Sequence, residues 1–346
     1  MKERSYLFDN LKAVLIFCVV FAHFLRIAGH FELGSPSRVI YIICFTFMME
    51  GFFFVSGFFS HNVDKCRAKA VETLIMPYVV FMLLTMGERY LLFGSAHLHL
   101  QLPTHAMWFL LVMFYYRFGI KTMEKIPFIL PLSAILFLTA GAMPFLGPFM
   151  ALGRGCSFLV FFMLGFYSKW EYFEKIRRIP KPVMILPAAL LVGVSVWFAG
   201  QRHFGVGVLL FKECDKVLGV GFVEGIVARF LVAIAALLWL LIWINVLPDK
   251  KLPSKGGLIT QIGQNTMTVF LLHVFVRQIL KWGAHVHHFA LFEYDGYIYV
   301  GIMLVIALVC IYLFSRPVVA KAYDKSMYFL YLPFGKAFEY LRKVVK

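Results

Sequence analysis

The sequence predicts an all-α protein, a polytopic membrane helix bundle of about ten transmembrane helices with both termini cytoplasmic, and three observations carry that prediction. Of the 346 residues, 61% are hydrophobic and 15% charged, with a mean hydropathy of +0.81, whereas soluble chains are about half apolar and a quarter charged. Apolar stretches of the length needed to cross a bilayer, roughly 20 residues, recur from end to end. The basic residues divide unevenly between the two sides that such a layout defines. In a soluble protein the net charge of +16 would point to nucleic acid; here it points to loops held on the cytoplasmic side.

The first span, 9–29, follows a basic N-terminus. It carries Lys12 and His23 and lacks a small-residue cleavage site, so it reads as a retained span and not as a secretory signal. Spans at 39–59 and 73–93 flank a basic loop containing Lys65, Arg67 and Lys69. Those at 104–120, 127–146 and 148–168 follow, the last two meeting at Gly141, Pro144, Gly147 and Pro148, a turn of helix-breaking residues. Spans at 183–200, 222–246, 258–281 and 297–316 complete the set. With the N-terminus inside, and Arg117, Lys281 and Arg316 at span ends counted with the loops they adjoin, 23 of the 34 Lys and Arg residues fall in inner segments, 5 in outer segments and 6 within spans. Residues 1–322 then form one membrane unit, and the aromatic and basic tail 323–346 fits an amphipathic helix along the inner surface. The six cysteines show no paired spacing for a metal or a disulfide framework.

Ionisable side chains at membrane depth are costly and mark function by default. The first span holds Asp9, Lys12, His23 and Arg26, the second Glu50, the sixth Arg154, and the ninth His273 and Arg277. Eleven positions separate Lys12 from His23, which on an α-helix places them within about 20° of one another and about 16 Å apart along the axis. One face therefore presents a cation near the cytoplasmic entrance and an imidazole in the outer half of the membrane. Imidazole suits proton transfer near neutral pH. Each residue also has a plainer reading: Lys12 snorkels to the interface, and His23 bonds a neighbouring helix.

Arg4 to Lys12 followed by Val19-Val-Phe-Ala-His23 resembles the first span of the acyltransferase type 3 family of membrane O-acyltransferases, particularly its fucose 4-O-acetylase-like branch. The hallmark there is a basic residue, ten intervening residues and a histidine, which Lys12 and His23 match. Phe52-Phe-Phe-Val-Ser56-Gly57-Phe58 is similar to the second-span motif, and Trp108-Phe109-Leu110 to the fourth. Arg154 with Phe161-Phe-Met-Leu-Gly165 resembles the sixth, and Gly263-Gln-Asn265-Thr266 leading to Leu271-Leu-His273 the ninth. One departure stands out: where family members commonly read His-Met-Pro, this chain has Met48-Met49-Glu50, leaving the shape of the second span open.

The resemblance implies transfer of an acyl group, usually acetyl, from acetyl-coenzyme A to a hydroxyl of an extracytoplasmic sugar: a cell-surface glycan or its lipid-linked precursor. His23 is then the general base, and Lys12 with Arg4, and Arg67 or Lys69 beside them, hold the donor's phosphates. Glu50 either orients His23 or pairs with Arg154 or Arg89; Arg154 pairs with Glu50 or Glu88, or contacts the donor. Trp108, Ser56, Asn265 and His273 either contact substrate or serve helix packing. Phe204, Phe289, Phe292 and Tyr294 in the outer loops stack on sugar or mark the lipid interface. No metal and no nucleic acid is expected, membrane lipid is the surrounding partner, and the oligomeric state is not legible. The competing function is a transporter or flippase of a lipid-linked sugar or small anion without acyl chemistry.

Overall fold

The computed structural model describes residues 5–95, 99–103, 106–202, 205–255 and 257–344. Helices fill it, with no strand among the described residues. In chain order they are α1 (Leu7–Leu25), α2 (Pro36–Phe45), α3 (Met48–Phe58), α4 (Val63–Ala70), α5 (Met76–Phe93), α6 (Trp108–Met123), α7 (Ile129–Thr139) and α8 (Leu152–Tyr167). Then follow α9 (Trp170–Arg177), α10 (Ile185–Ala199), α11 (Phe222–Val246), α12 (Leu258–Gln264), α13 (Thr266–His285), α14 (Gly296–Phe314) and α15 (Pro317–Val344).

Helical structure stands at all ten expected positions. Among the described residues, seven helices are long and apolar enough to cross a membrane. The other three positions hold α6, which has 16 residues, α7 with its following short turn, and the more polar pair α12–α13. The turn of helix-breaking residues between the fifth and sixth expected spans holds three short turns of 3₁₀ helix between Ala140 and Ala151.

Loop contacts sort the helix ends into two groups, as ten alternating passes require. At one end the Asp249 carboxylate accepts hydrogen bonds from Ser5 Oγ and from the Tyr6 and Leu7 amides, capping α1 from the far end of α11. Asn245 donates to the carbonyls of Ile176 and Ile179, and Lys121 meets Asp64 at 2.6 Å. At the opposite end Gly34 N donates to Ala199 O, Met150 N to Gln101 O, and His285 Nε2 lies 2.8 Å from Ile27 O.

Helix α1 is the axis of the bundle. Of its apolar window 78% is buried, against 22% for the span that includes α10, which therefore sits at the periphery. Close packing around α1 depends on small residues. A Cβ on Gly57 of α3 would collide with the Phe162 carbonyl of α8, one on Gly165 of α8 with the Phe54 carbonyl of α3, and one on Gly263 of α12 with the Asp9 carbonyl of α1. Three of the resembling motifs thus hold residues whose visible work is helix contact.

The second span is broken even without a proline. Phe47 leaves the helical region at φ −150° between α2 and α3, where Thr46 Oγ1 donates back to the Ile43 carbonyl. The buried Phe47 ring wedges against Trp239, with centroids 5.3 Å apart.

Candidate active site

His23 lies near the outer end of α1, on the wall of a cavity of about 550 Å³. Its Nδ1 is 2.8 Å from Nε2 of His273, and the two rings are within 16° of parallel. His273 is fully buried, and its Nδ1 is 3.1 Å from the Val269 carbonyl one turn earlier on α13. A carbonyl only accepts, so in the neutral pair the hydrogen of His273 sits on Nδ1 and its Nε2 is the acceptor. His23 therefore donates from Nδ1, and its basic nitrogen is Nε2. A buried partner that sets the tautomer of a more exposed histidine is the arrangement required of a general base.

A second cavity, of about 320 Å³, lies toward the inner end and is lined by Lys12, Ser56, Phe109 and Arg117 among others. Lys12 meets Asp9 at 3.0 Å, and Asp9 also accepts from Gln264 Nε2. Arg117 Nε is buried without a hydrogen-bond partner among the described residues, a cation poised for an anion that approaches from this side. Phe270 of α13 lines both cavities. The cation and the imidazole that share a face of α1 thus open onto two chambers that meet at one aromatic ring.

The remaining predicted site residues fall in varied places. Arg4 lies outside the described residues, as does Phe204. Trp108 lines the outer cavity, stacked on Phe158 with the Arg154 guanidinium 4.3 Å from its ring centroid. Ser56 lines the inner cavity. Arg67 is 4.9 Å from the Phe118 ring, and neither it nor Lys69 lines the inner cavity.

Several expectations need correcting. Neither carboxyl oxygen of the fully buried Glu50 has a hydrogen-bond partner among the described residues, so Glu50 neither orients His23 nor pairs with Arg154 or Arg89. The ring that meets His23 is that of His273, which lies behind the cavity wall and does not line the cavity. Arg154 donates to the Leu210 carbonyl and lines the outer cavity, away from the Lys12 end where the donor's phosphates were expected. Asn265 donates to the Ser315 carbonyl and borders a separate cleft beside Lys251 and Lys321. Phe289, Phe292 and Tyr294 do not line the outer cavity; its aromatic wall includes Tyr41, Trp108 and Phe158.

Residues that sequence reasoning left unassigned complete the picture. Asn10 is buried, donating to the carbonyls of Pro248 and Lys250 and accepting from Thr260 Oγ1, which ties α1 to the loop before α12. An asparagine two positions from Lys12 in an apolar span was the available signal. Arg117 carried none, because its position at the end of a span reads as an ordinary inner cation.

Searches of the curated proteins and of the solved structures find no match. The family model described as an acyltransferase domain, of type 3, matches residues 6–316, a stretch that includes α1 with Lys12 and His23, both cavities and the His273 helix. The match establishes the family and not the branch, and five motifs in order around a histidine of assigned tautomer agree with it: this chain belongs to the type 3 acyltransferase family of membrane acyltransferases.

Proposed function

We propose that the protein transfers an acetyl group from acetyl-coenzyme A to a hydroxyl of a cell-surface glycan or its lipid-linked precursor at the cell membrane. The observation that carries this reading is the His23–His273 pair on the wall of the outer cavity, one aromatic ring away from a chamber entered beside Lys12. The coenzyme enters from the inner end, where Lys12 and Arg117 face its phosphates, and its pantetheine arm spans the distance of about 16 Å to His23. The acceptor enters the outer cavity. His23 Nε2 takes the hydroxyl proton as the new C–O bond forms at the thioester carbonyl. The C–S bond then breaks, and the departing thiolate takes the proton back from His23.

The test compares His23→Ala with wild type at matched membrane levels, following labelled acetyl groups from acetyl-coenzyme A into surface glycans. A loss of about a hundred- to ten-thousand-fold is expected for a general base. Wild-type membranes that label no glycan fraction would remove the reading, and an unimpaired variant would remove His23 from the role. Lys12→Ala is expected to raise the KM for acetyl-coenzyme A while kcat changes little; an unchanged KM would take Lys12 out of the donor path.

A further inference from the structure

Beside Lys212, which pairs with Glu213, three arginines line the outer cavity with His23: Arg26 at the C-cap of α1, Arg154 of α8 and Arg277 of α13. They come from segments far apart in sequence, and Tyr41 on the same wall lies within electrostatic reach of all three. Arg26 and Arg277 feel one another's charge. Among the described residues none of the three forms an ion pair with a carboxylate. The acidic residue that does come near, Glu213, is held by Lys212 at 3.0 Å and is not part of the cavity lining. Among the described residues no carboxylate lines the cavity. The arginines are held in place by other means: Arg154 by the Leu210 carbonyl and the Trp108 ring, and Arg26 by the rings of Phe31 and Tyr41 at 5.7 and 5.8 Å.

Like charges gathered at membrane depth repel, and the low dielectric around them strengthens the repulsion. Three arginines that no carboxylate pairs with among the described residues, two of them held by carbonyl and ring contacts, form a site that an entering anion would complete. We infer that the acceptor is acidic: it carries a carboxylate or phosphate group that Arg26, Arg154 and Arg277 bind in the outer cavity, which presents a neighbouring hydroxyl to His23. Guanidinium groups match both anions, each through two parallel hydrogen bonds. The anion has two available sources, an acidic sugar or the diphosphate of a lipid-linked carrier. What the bound molecule then undergoes rests on the transfer reading above; its binding does not.

Binding to the full-length protein in lipid nanodiscs, without acetyl-coenzyme A, tests this. Three probes share one sugar: glucose, glucuronate, and glucose joined by a diphosphate to a short polyprenol. At least one acidic probe is expected to bind about tenfold or more tightly than glucose, with affinity falling as salt rises. Arg277→Gln and Arg26→Gln are each expected to weaken it about tenfold, and Arg277→Lys, which keeps the charge, to recover part of the loss. Preference for glucuronate identifies a sugar carboxylate, and preference for the diphosphate a carrier lipid. Equal binding of acidic and neutral probes, or acidic binding indifferent to both Gln variants, would overturn the inference. So would displacement of the acidic probe by adenosine 3′,5′-bisphosphate, which would give these arginines to the donor. Arginine-dependent binding without acetyl transfer would instead leave the acidic site standing and remove the transferase reading.

Discussion

His23 owes its assignment to a chain of three atoms: the Val269 carbonyl, the ring of His273 and its own Nδ1. Removing the middle member should leave substrate binding intact while His23, the base of the proposed reaction, loses its fixed tautomer. His273→Ala is therefore expected to lower kcat by about tenfold or more with the KM for acetyl-coenzyme A unchanged. His273→Gln, whose amide oxygen also accepts, is expected to restore part of it. Steady-state kinetics of both variants decide the matter, since a purely structural role would not split kcat from KM or respond to the glutamine. Glu50 presents the opposite case, a buried carboxyl with no hydrogen-bond partner among the described residues. An unpaired buried charge is costly, so Glu50→Gln should unfold in detergent at a temperature no lower than wild type; a marked drop would reveal a partner. At this scale Lys12 and His23 were legible because helical geometry relates them within one segment. The role of His273 was not, because it depends on α13 lying against α1.

Helix packing converts the family motifs from chemistry into contact. Gly57 and Gly165 oppose the backbone of one another's helices, and Gly263 opposes Asp9, the residue that holds Lys12. Gly165→Leu is expected to separate α3 from α8 and destabilise the fold by at least about 1–3 kcal/mol, read as a lower unfolding temperature. Gly263→Ala displaces α12 from α1 at Asp9, the partner of the cavity-lining Lys12. Because the clash is with backbone, it should lower the unfolding temperature as well as raise the KM for acetyl-coenzyme A, which thermal unfolding and kinetics of the same sample measure. The break at Thr46 and Phe47 shows why the altered Met48-Met49-Glu50 stretch does not straighten the second span. The hydroxyl of Thr46 and the wedge of Phe47 act on the helix one turn earlier, and neither is visible as a helix breaker in a list of residues.

Across the whole molecule, the charge bias predicts orientation, and buried polar contacts decide how the loop between α10 and α11 folds inward. Asp215, from the loop between α10 and α11, is 3.8 Å from Arg229 of α11, and both are nearly inaccessible. Gly141 and Gly225 leave room for its carboxylate. Arg229 also donates to Ser157 and to the Phe137 carbonyl, joining α7, α8 and α11. Arg229→Leu strands Asp215 and should cost about 3–5 kcal/mol, measurable as a fall in unfolding temperature that Asp215→Leu in the same chain partly reverses. Orientation is open to labelling with Cys66 and Cys156 replaced by Ser. Lys216→Cys should react with a membrane-impermeant maleimide in intact cells, and Lys125→Cys only after permeabilisation; the reverse pattern would invert the assignment.

By itself the sequence determined the class, the approximate helices, their alternation, and the Lys12 to His23 face, because hydropathy, charge bias and helical periodicity are properties of contiguous segments. Only the tertiary structure decided which ring meets His23, that Arg154 lines the outer cavity, and that three arginines from the end of α1, α8 and α13 line it with no carboxylate beside them among the described residues. Those facts belong to no segment. They arise where helices remote in the chain pack together, and burial there determines which polar groups meet and which are left for a substrate to satisfy.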